Sequence, residues 1–177
     1  MLVAMGVFAW LAFTSRAEPG IGRVAGGRPA NTAPNPIPEE RYEQLAAFEA
    51  PAYAAQRGEP KSFQIAMARY AKQDYAGAAS ALRAVSDVSP GFPAVRFYLG
   101  VSLLLAGNRI AGIQELRDLA MAGDSPYLER ARFYLAKGLI AEHDIQRAER
   151  QLEDLIGQHG GLEKQATVLL SQIRAST

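Results

Sequence analysis

The sequence predicts an all-α protein, a short solenoid of about three helix–turn–helix repeats followed by a C-terminal capping helix. Two observations predict this fold class. The chain of 177 residues is 49% hydrophobic and rich in alanine, the residue with the highest helix propensity. One pattern of apolar and small residues also recurs three times, at spacings of 34 and then 36 residues. There is no cysteine, which excludes disulfides and thiolate zinc sites.

Three segments share the same internal offsets and define the repeats: Phe63–Pro90, Phe97–Asp124 and Phe133–Gly160. Each half of a repeat carries one small residue that allows a close helix–helix approach. These small residues are Ala66, Gly100 and Ala136 in the first halves and Ala78, Gly112 and Ala148 in the second halves. The turns between the halves fall at Gln73-Asp74, Gly107-Asn108 and His143-Asp144. Asp and Asn at such positions can cap the helix that follows.

These motifs resemble the tetratricopeptide repeat (TPR), a 34-residue helix–turn–helix unit. The motifs that carry the resemblance are Leu99-Gly100, Gly107-Asn108, Asp74-Tyr75 with Ala78, and Asp144-Ile145 with Ala148. The resemblance implies that residues 60–177 form a TPR-like α-solenoid whose first helices line a concave groove. The stretch Glu163–Arg174 is predicted to be the capping helix that a solenoid requires, with Ala166, Leu169, Leu170 and Ile173 on its buried face.

Residues 1–17 are predicted to be a signal peptide or a membrane anchor. The run Met1–Phe13 is uncharged and apolar, and its 13 residues suit the hydrophobic region of a signal peptide better than the ~20 needed to span a bilayer. Ser15-Arg16-Ala17 offers the small-x-small pattern for cleavage before Glu18. The run lacks the preceding Lys or Arg of a typical signal peptide. A longer membrane helix that has lost its first turns and a buried N-terminal helix are the alternatives.

Residues 18–38 are predicted to be a disordered linker, because they hold five of the ten prolines and four of the sixteen glycines of the chain. Residues 39–59 are predicted to form a short helix, Glu39–Glu49, and a loop. Acidic residues in the first turn of this helix complement its dipole.

A narrower resemblance concerns the residues between the linker and the repeats. Phe48–Tyr53, Arg57-Gly58 and Gly123–Tyr127 resemble the region after the membrane helix in bacterial membrane-anchored anti-sigma-factor-like proteins. Those proteins join a zinc finger, one membrane span, a linker and a TPR module. The zinc finger is absent here because the chain has no cysteine. The resemblance therefore implies a tethered TPR module of the cell envelope, membrane-anchored or periplasmic, and does not imply sigma-factor binding.

Catalytic, cofactor and nucleic-acid functions find no basis in the sequence. The formal charge of +1 is unlike the basic footprint of a nucleic-acid binder. The two histidines, His143 and His159, stand in a turn and at a helix end, where a dipole partner is more common than a base. No phosphate loop, nucleophile elbow or metal-ligand spacing occurs. A non-enzymatic protein without cofactor or metal is expected.

The resemblance to TPR domains implies a partner-binding groove along the first helices. Its predicted lining residues are Phe63, Met67, Tyr70, Arg96, Phe97, Val101, Leu104, Arg130, Phe133, Lys137 and Ile140. An apolar groove with a basic lip suits an amphipathic helix or an extended peptide with acidic flanks. Two alternatives stay open. The phenylalanines can pack between helices, or the chain's own helix Glu39–Glu49, with Tyr42 and Phe48, can fill the groove.

Two functional hypotheses follow. The first is a protein–protein interaction scaffold, tethered to or exported across a bacterial membrane, that binds a protein or peptide in its groove. The alternative is a structural accessory subunit of a membrane protein complex that docks through its N-terminal helix.

Overall fold

The computed structural model describes residues 37–88, 92–123 and 125–176, all within one compact unit that extends from Pro34 to Thr177. The predictions for residues 1–36, the apolar run and most of the linker, lie outside the described residues. Within the described ranges the regular structure is helical, without strands, as the sequence predicts. The helices are α1 (Glu39–Ala46), α2 (Lys61–Ala71), α3 (Tyr75–Val88), α4 (Pro93–Leu105), α5 (Arg109–Ala122), α6 (Leu128–Ala141), α7 (Ile145–Ile156) and α8 (Glu163–Arg174).

Helices α2 to α7 form three consecutive helix–turn–helix pairs, α2–α3, α4–α5 and α6–α7, and each pair packs on the next. Because the turns inside the pairs are short, the two helices of a pair run antiparallel. The last helix, α8, packs on α7 and closes the stack with the buried residues that the sequence assigns to a capping helix, Ala166, Leu169, Leu170 and Ile173. The first helix, α1, leaves this order and packs against α6 and α8.

Helix α1 ends three residues before Glu49, the predicted end of the short helix. Ala47 already has extended backbone angles, φ −55° and ψ 135°. Pro51 disfavours the helical conformation at Ala50. The carbonyls at the end of α1 accept hydrogen bonds from the Lys137 side chain, so these groups have partners although the helix stops.

The turns inside the three pairs share one left-handed backbone position. Gln73, Gly107 and His143 occupy it, with φ of 62°, 82° and 59°. A residue other than glycine loses roughly 1–2 kcal/mol in this conformation. The hairpin geometry of the repeat therefore overrides local preference in the first and third pairs, and only the second pair uses glycine.

Aspartate caps the second helix in two of the three pairs. The Asp74 carboxylate accepts a hydrogen bond from the Gly77 N–H at 2.9 Å, and the Asp144 carboxylate accepts one from the Arg147 N–H at 3.1 Å. Asn108, at the same position in the second pair, makes no such side-chain bond. The predicted capping is thus confirmed for the two aspartates and is wrong for the asparagine.

The central pair is the most tightly packed, because glycine stands on both sides of the α4–α5 contact. A Cβ atom added at Gly112 would lie 2.8 Å from the Gly100 carbonyl oxygen and 2.8 Å from the Leu104 side chain. A Cβ atom added at Gly100 would lie 2.7 Å from Leu116. The leucines that fill the space inside the three pairs, Leu82, Leu116 and Leu152, are fully buried.

We expect Gly112→Ala to lower the free energy of unfolding by about 1–3 kcal/mol, because the new methyl group meets a backbone oxygen that cannot move aside. Gly157→Ala is the matched control. A Cβ atom there would make only ordinary contacts, 3.5 Å from the Glu153 carbonyl oxygen. Urea denaturation of the two variants measures the difference, and equal stability of both would contradict the close α4–α5 approach.

Candidate partner-binding groove

An extended segment, Ala47–Tyr53, crosses the first helices of all three repeats. We call it the strap, and we call the side of α2, α4 and α6 that it contacts the groove face. Its main-chain carbonyls accept hydrogen bonds from Tyr70 on α2, Tyr98 on α4 and Tyr134 on α6. The groove predicted from the TPR resemblance is therefore occupied, in this structure, by the chain itself.

Lys137 holds the N-terminal end of the strap against α6. Its ammonium group donates to the carbonyl oxygens of Leu45 at 2.7 Å and Ala47 at 3.0 Å, at the C-terminus of α1. A cation there also complements the negative end of the helix dipole. The same ammonium group lies 5.8 Å from the centre of the Phe133 ring. Burial lowers the pKa of Lys137.

Three tyrosine hydroxyls bind the rest of the strap. Tyr134 donates to the Glu49 carbonyl at 3.4 Å, a long hydrogen bond. Tyr70 donates to the Pro51 carbonyl, and Tyr98 donates to the next carbonyl along, each at 3.1 Å. These phenols must be protonated to donate.

Burial raises the pKa of all three groove tyrosines, in the case of Tyr98 to about 12. The positive charge of the exposed Arg130 opposes this increase at Tyr98 and Tyr134.

Two aromatic side chains of the strap pack against the groove face. The Phe48 ring meets the Tyr134 ring edge-on, with 5.1 Å between the ring centres. The Tyr53 ring lies edge-on to Phe63 at 5.9 Å and to Tyr98 at 5.7 Å. These edge-to-face contacts at opposite ends of the strap add stabilisation beyond the area that they bury.

The N-terminal half of helix α1 contacts His143, which lies in the turn between α6 and α7. The Tyr42 ring stacks on the imidazole with 4.0 Å between centres, and the Glu39 carboxylate lies 3.2 Å from its Nε2 atom. Arg41 also donates to Ser176, beyond the end of α8, at 2.9 Å. Between α1 and the ends of α4 and α6 lies a cavity of about 370 Å³.

The predicted groove residues fall into two groups in the structure. Most are buried in the core and do not present a bare binding surface: Phe63, Met67, Tyr70, Phe97, Val101, Leu104 and Ile140. Phe133 and Lys137 are partly exposed on α6, and Arg130 is exposed at its start. Arg96 points to the other helix of its own pair, where it lies 3.9 Å from Glu115 and 3.8 Å from Asp118. Partner binding by these residues stays a prediction.

Both alternatives to an open groove describe part of what is seen. Phe63 and Phe97 pack between helices and are fully buried. The segment Glu39–Glu49 reaches the groove face, but its helical part packs on α6 and α8, and only the extended strap crosses all three repeats. A Phe97→Ala variant would therefore not report on partner binding. Truncation of this buried ring would leave a cavity that lowers the free energy of unfolding by about 3–5 kcal/mol.

Sequence reasoning missed Tyr98 and Tyr134 as groove residues. Both follow the aligned phenylalanine of their repeat, in the matching runs Phe97–Gly100 and Phe133–Ala136. A tyrosine repeated at one position of the first helix was the available signal, because it places a hydroxyl group on the same face of α4 and α6.

Beyond the strap, the row of first helices continues from α6 to α8. A shallow cavity of about 320 Å³ lies there, lined in part by Phe133 and Lys137 of α6 and Lys164 and Val168 of α8. Val168 is 55% exposed. In the ranges that the structure describes, no cluster of His, Asp and Glu side chains could hold a metal ion, and none of the helices has the length and hydropathy of a membrane span.

We expect Lys137→Met to loosen the strap, because the variant leaves two carbonyls of the α1 end without their charged donor, an interaction of about 1.5–3 kcal/mol. Chymotrypsin cleavage after Phe48 and Tyr53 should then accelerate by about tenfold, the rate change that 1.4 kcal/mol produces when cleavage follows the open population. Lys164→Met, on α8, is the control and should cleave at the wild-type rate. Unchanged cleavage of Lys137→Met would contradict the anchoring role of Lys137.

We expect alkaline pH to remove stability through the groove tyrosines. A tyrosine whose folded pKa is raised keeps its proton when the unfolded chain has lost it, so its contribution is complete below pH 10 and is lost at higher pH. For Tyr98 the window extends from 10.0 to about 12. Urea denaturation at intervals across this window should show a smaller loss in Tyr98→Phe than in wild type. The same pH dependence of the free energy of unfolding in both proteins would contradict the raised pKa of Tyr98. The lowered pKa of Lys137 has the opposite effect on stability, and it cancels in the comparison because both proteins contain Lys137.

Comparison with known proteins agrees with this fold. No protein-family model matches the sequence, and no curated protein sequence matches it. A structure of the Yersinia enterocolitica type III secretion translocator chaperone SycD is similar with a TM-score of 0.58 and 18% identity, over 65% of this chain and 82% of that chain. An alternative dimer of SycD gives a TM-score of 0.54 and 19% identity, over 80% of this chain and 95% of that chain.

A third similar structure is that of the CopN–Scc3 complex, with a TM-score of 0.55 and 18% identity, over 82% of this chain and 91% of the matched chain. These similarities establish the fold alone, and the narrower resemblance to anti-sigma-factor-like proteins stays a prediction. The described domain has an all-helical, TPR-like fold.

Proposed function

We propose that the protein is a non-enzymatic scaffold that binds a segment of a partner protein on its groove face. One observation carries the proposal. Tyr70, Tyr98, Tyr134 and Lys137 form a row of side-chain donors that already binds the main-chain carbonyls of an extended segment. Main-chain recognition of this kind supports affinity for extended peptides, while neighbouring pockets give specificity.

The similar structures support a protein partner. SycD is a chaperone for a secretion translocator, and the CopN–Scc3 structure is that of a complex. Both structures thus concern proteins that act with a protein partner. For the present chain we propose the same class of activity, without a proposal for the partner's identity.

The surface between α6 and α8 adjoins the groove face, and a partner can reach it while the strap is in place. Phe133, Lys137 and Val168 are accessible there without movement of the strap. The surface joins apolar side chains to two lysines, Lys137 and Lys164, which suits a partner segment that has apolar anchors and acidic residues. Charged rims of this kind contribute to the rate and specificity of association.

We also propose that residues 1–17 place the domain in the bacterial cell envelope. The support is the apolar run Met1–Phe13 followed by a proline- and glycine-rich linker. The mass of the mature N-terminus decides between the two forms, because a start at Glu18 means cleavage and an intact Met1 means an anchor. Recovery of the intact chain from the soluble cytoplasmic fraction would contradict both.

Site-specific photo-crosslinking tests the proposed function. A photoreactive phenylalanine analogue replaces Phe133 or Val168 on the groove side, or Ile110 or Met121 on α5, in the full-length protein in its source cells. Ile110 and Met121 are the matched controls, being 69% and 78% exposed on a second helix. We expect one partner protein to be crosslinked from positions 133 and 168 and not from the controls.

The opposite pattern would favour the accessory subunit. The accessory subunit predicted from the sequence docks through its N-terminal helix, and the exposed apolar side chains of Ile110 and Met121 on α5 offer it a second contact surface. Crosslinks confined to positions 110 and 121 would overturn groove binding and support docking through the second helices.

A further inference from the structure

We infer that the strap is a competing intramolecular ligand of the groove face, and that a partner gains the full length of the groove by displacing it. The partner segment that fits is extended and proline-containing, with aromatic residues at both ends, in the manner of Phe48–Tyr53. This regulation rests on the proposed function, because it concerns the same surface.

The contacts of the strap are of a kind that another chain can reproduce. Four groove side chains donate to four carbonyl oxygens of the strap, those of Ala47, Glu49, Pro51 and Ala52. Every residue type has a main-chain carbonyl, so these donors do not distinguish the strap from a partner segment. They require only that the segment is extended and brings its carbonyls to the donors of α6, α2 and α4, as Glu49, Pro51 and Ala52 do.

Proline and aromatic residues supply the selectivity. Pro51 keeps the chain extended, and a preformed extended segment loses less entropy on binding. The Phe48 ring meets Tyr134 on α6, at one end of the groove face, and the Tyr53 ring meets Phe63 on α2, at the other end. A partner segment therefore needs two aromatic anchors at about this separation to replace the strap.

The strap itself is only weakly buried, which makes displacement feasible. No strap residue is fully buried, and Ala47, Glu49 and Ala52 are exposed. The groove side chains beneath it are much less accessible, with Tyr70 at 5% and Tyr98 at 3% exposure. A segment with few buried apolar contacts opens at a lower free energy than the core on which it lies.

Connectivity gives the strap its advantage over a free peptide. Residues 54–58 link it to the first repeat and are exposed throughout, and a Cβ atom added at Gly58, where φ is 91°, would meet nothing within 4 Å. A short tether of this kind maintains an effective concentration in the millimolar range. A free segment must exceed that advantage, so the intact chain should bind it weakly.

The test uses a fluorescent synthetic peptide with the sequence of residues 46–56, AAFEAPAYAAQ, and measures its binding to the full-length protein by anisotropy. The strap variant Phe48→Ser with Tyr53→Ser removes both rings and keeps all four donors. We expect this variant to bind the peptide at least about tenfold more tightly than wild type, the effect of about 1.4 kcal/mol of lost competition. Ile65→Ser with Met121→Ser is the control and should bind as wild type does.

A second variant covers the case in which the strap variant folds poorly. A flexible Gly/Ser insertion of about 20 residues between Arg57 and Gly58 leaves the strap sequence and the groove intact, and should lower the effective concentration of the strap by about tenfold. Peptide affinity should rise by a similar factor. Adding Lys137→Met and Tyr134→Phe to the strap variant should abolish the gain, because the peptide then loses two of its donors.

Each outcome separates this inference from the proposed function. Equal peptide affinity for wild type, strap variant and insertion variant would overturn intramolecular competition, and so would an absence of binding to all three. If intramolecular competition is overturned in this way but crosslinks from positions 133 and 168 still form, the proposed function remains supported. If the peptide binds as expected but partner crosslinks arise only from positions 110 and 121, the proposed function fails, and the strap competes only for peptides of its own kind.

Discussion

The close contact between α4 and α5 at Gly100 and Gly112 is the constraint on which the rest of the domain depends. The central pair lies between the other two, so the spacing of its helices sets how the first helices of all three repeats are arranged. Only glycine lets the carbonyl of Gly100 approach α5 as it does. The flanking pairs use alanine at the same positions and pack against the surfaces that the central pair presents.

That arrangement creates a row of first helices whose polar side chains need hydrogen-bond acceptors. Three phenols and one ammonium group lie on a face that is otherwise apolar, and unpaired donors there would cost about 1–3 kcal/mol each. The strap provides the missing acceptors from its main chain. The strap covers the groove because its carbonyls satisfy these donors. A partner that displaces the strap must therefore offer equivalent hydrogen-bond acceptors. The same requirement links the proposed function to the competition between strap and partner.

Much of the fold could be predicted because the repeat pattern fixes local geometry. The offsets shared by the three segments place the small residues at the helix contacts and Asp74 and Asp144 at the caps. The capping helix was predictable for the same reason, since Ala166 to Ile173 follow the spacing of a first helix. The exact end of α1 could not be predicted from the sequence, because the carbonyls at this end find their hydrogen-bond donor in Lys137, about 90 positions away.

The candidate site shows the same division. Lys137 and Tyr70 could be assigned to the groove from their place in the repeat, and the strap does contact both. The sequence could not tell that Phe97 would be fully buried while Phe133, its counterpart, would stay partly exposed. That difference depends on which neighbours cover each ring, and two equivalent positions in a repeat have identical local signals.

By itself the sequence determined an all-helical, TPR-like repeat with a capping helix, because periodic spacing and turn chemistry act over short distances along the chain. Only the tertiary structure decided that the groove is covered by residues 47–53. The hydrogen bonds of the strap go to main-chain carbonyls, which every sequence contains, so the residue pattern does not show in advance which donors they meet. Its partners come from three different repeats, and they meet only when the helices are stacked.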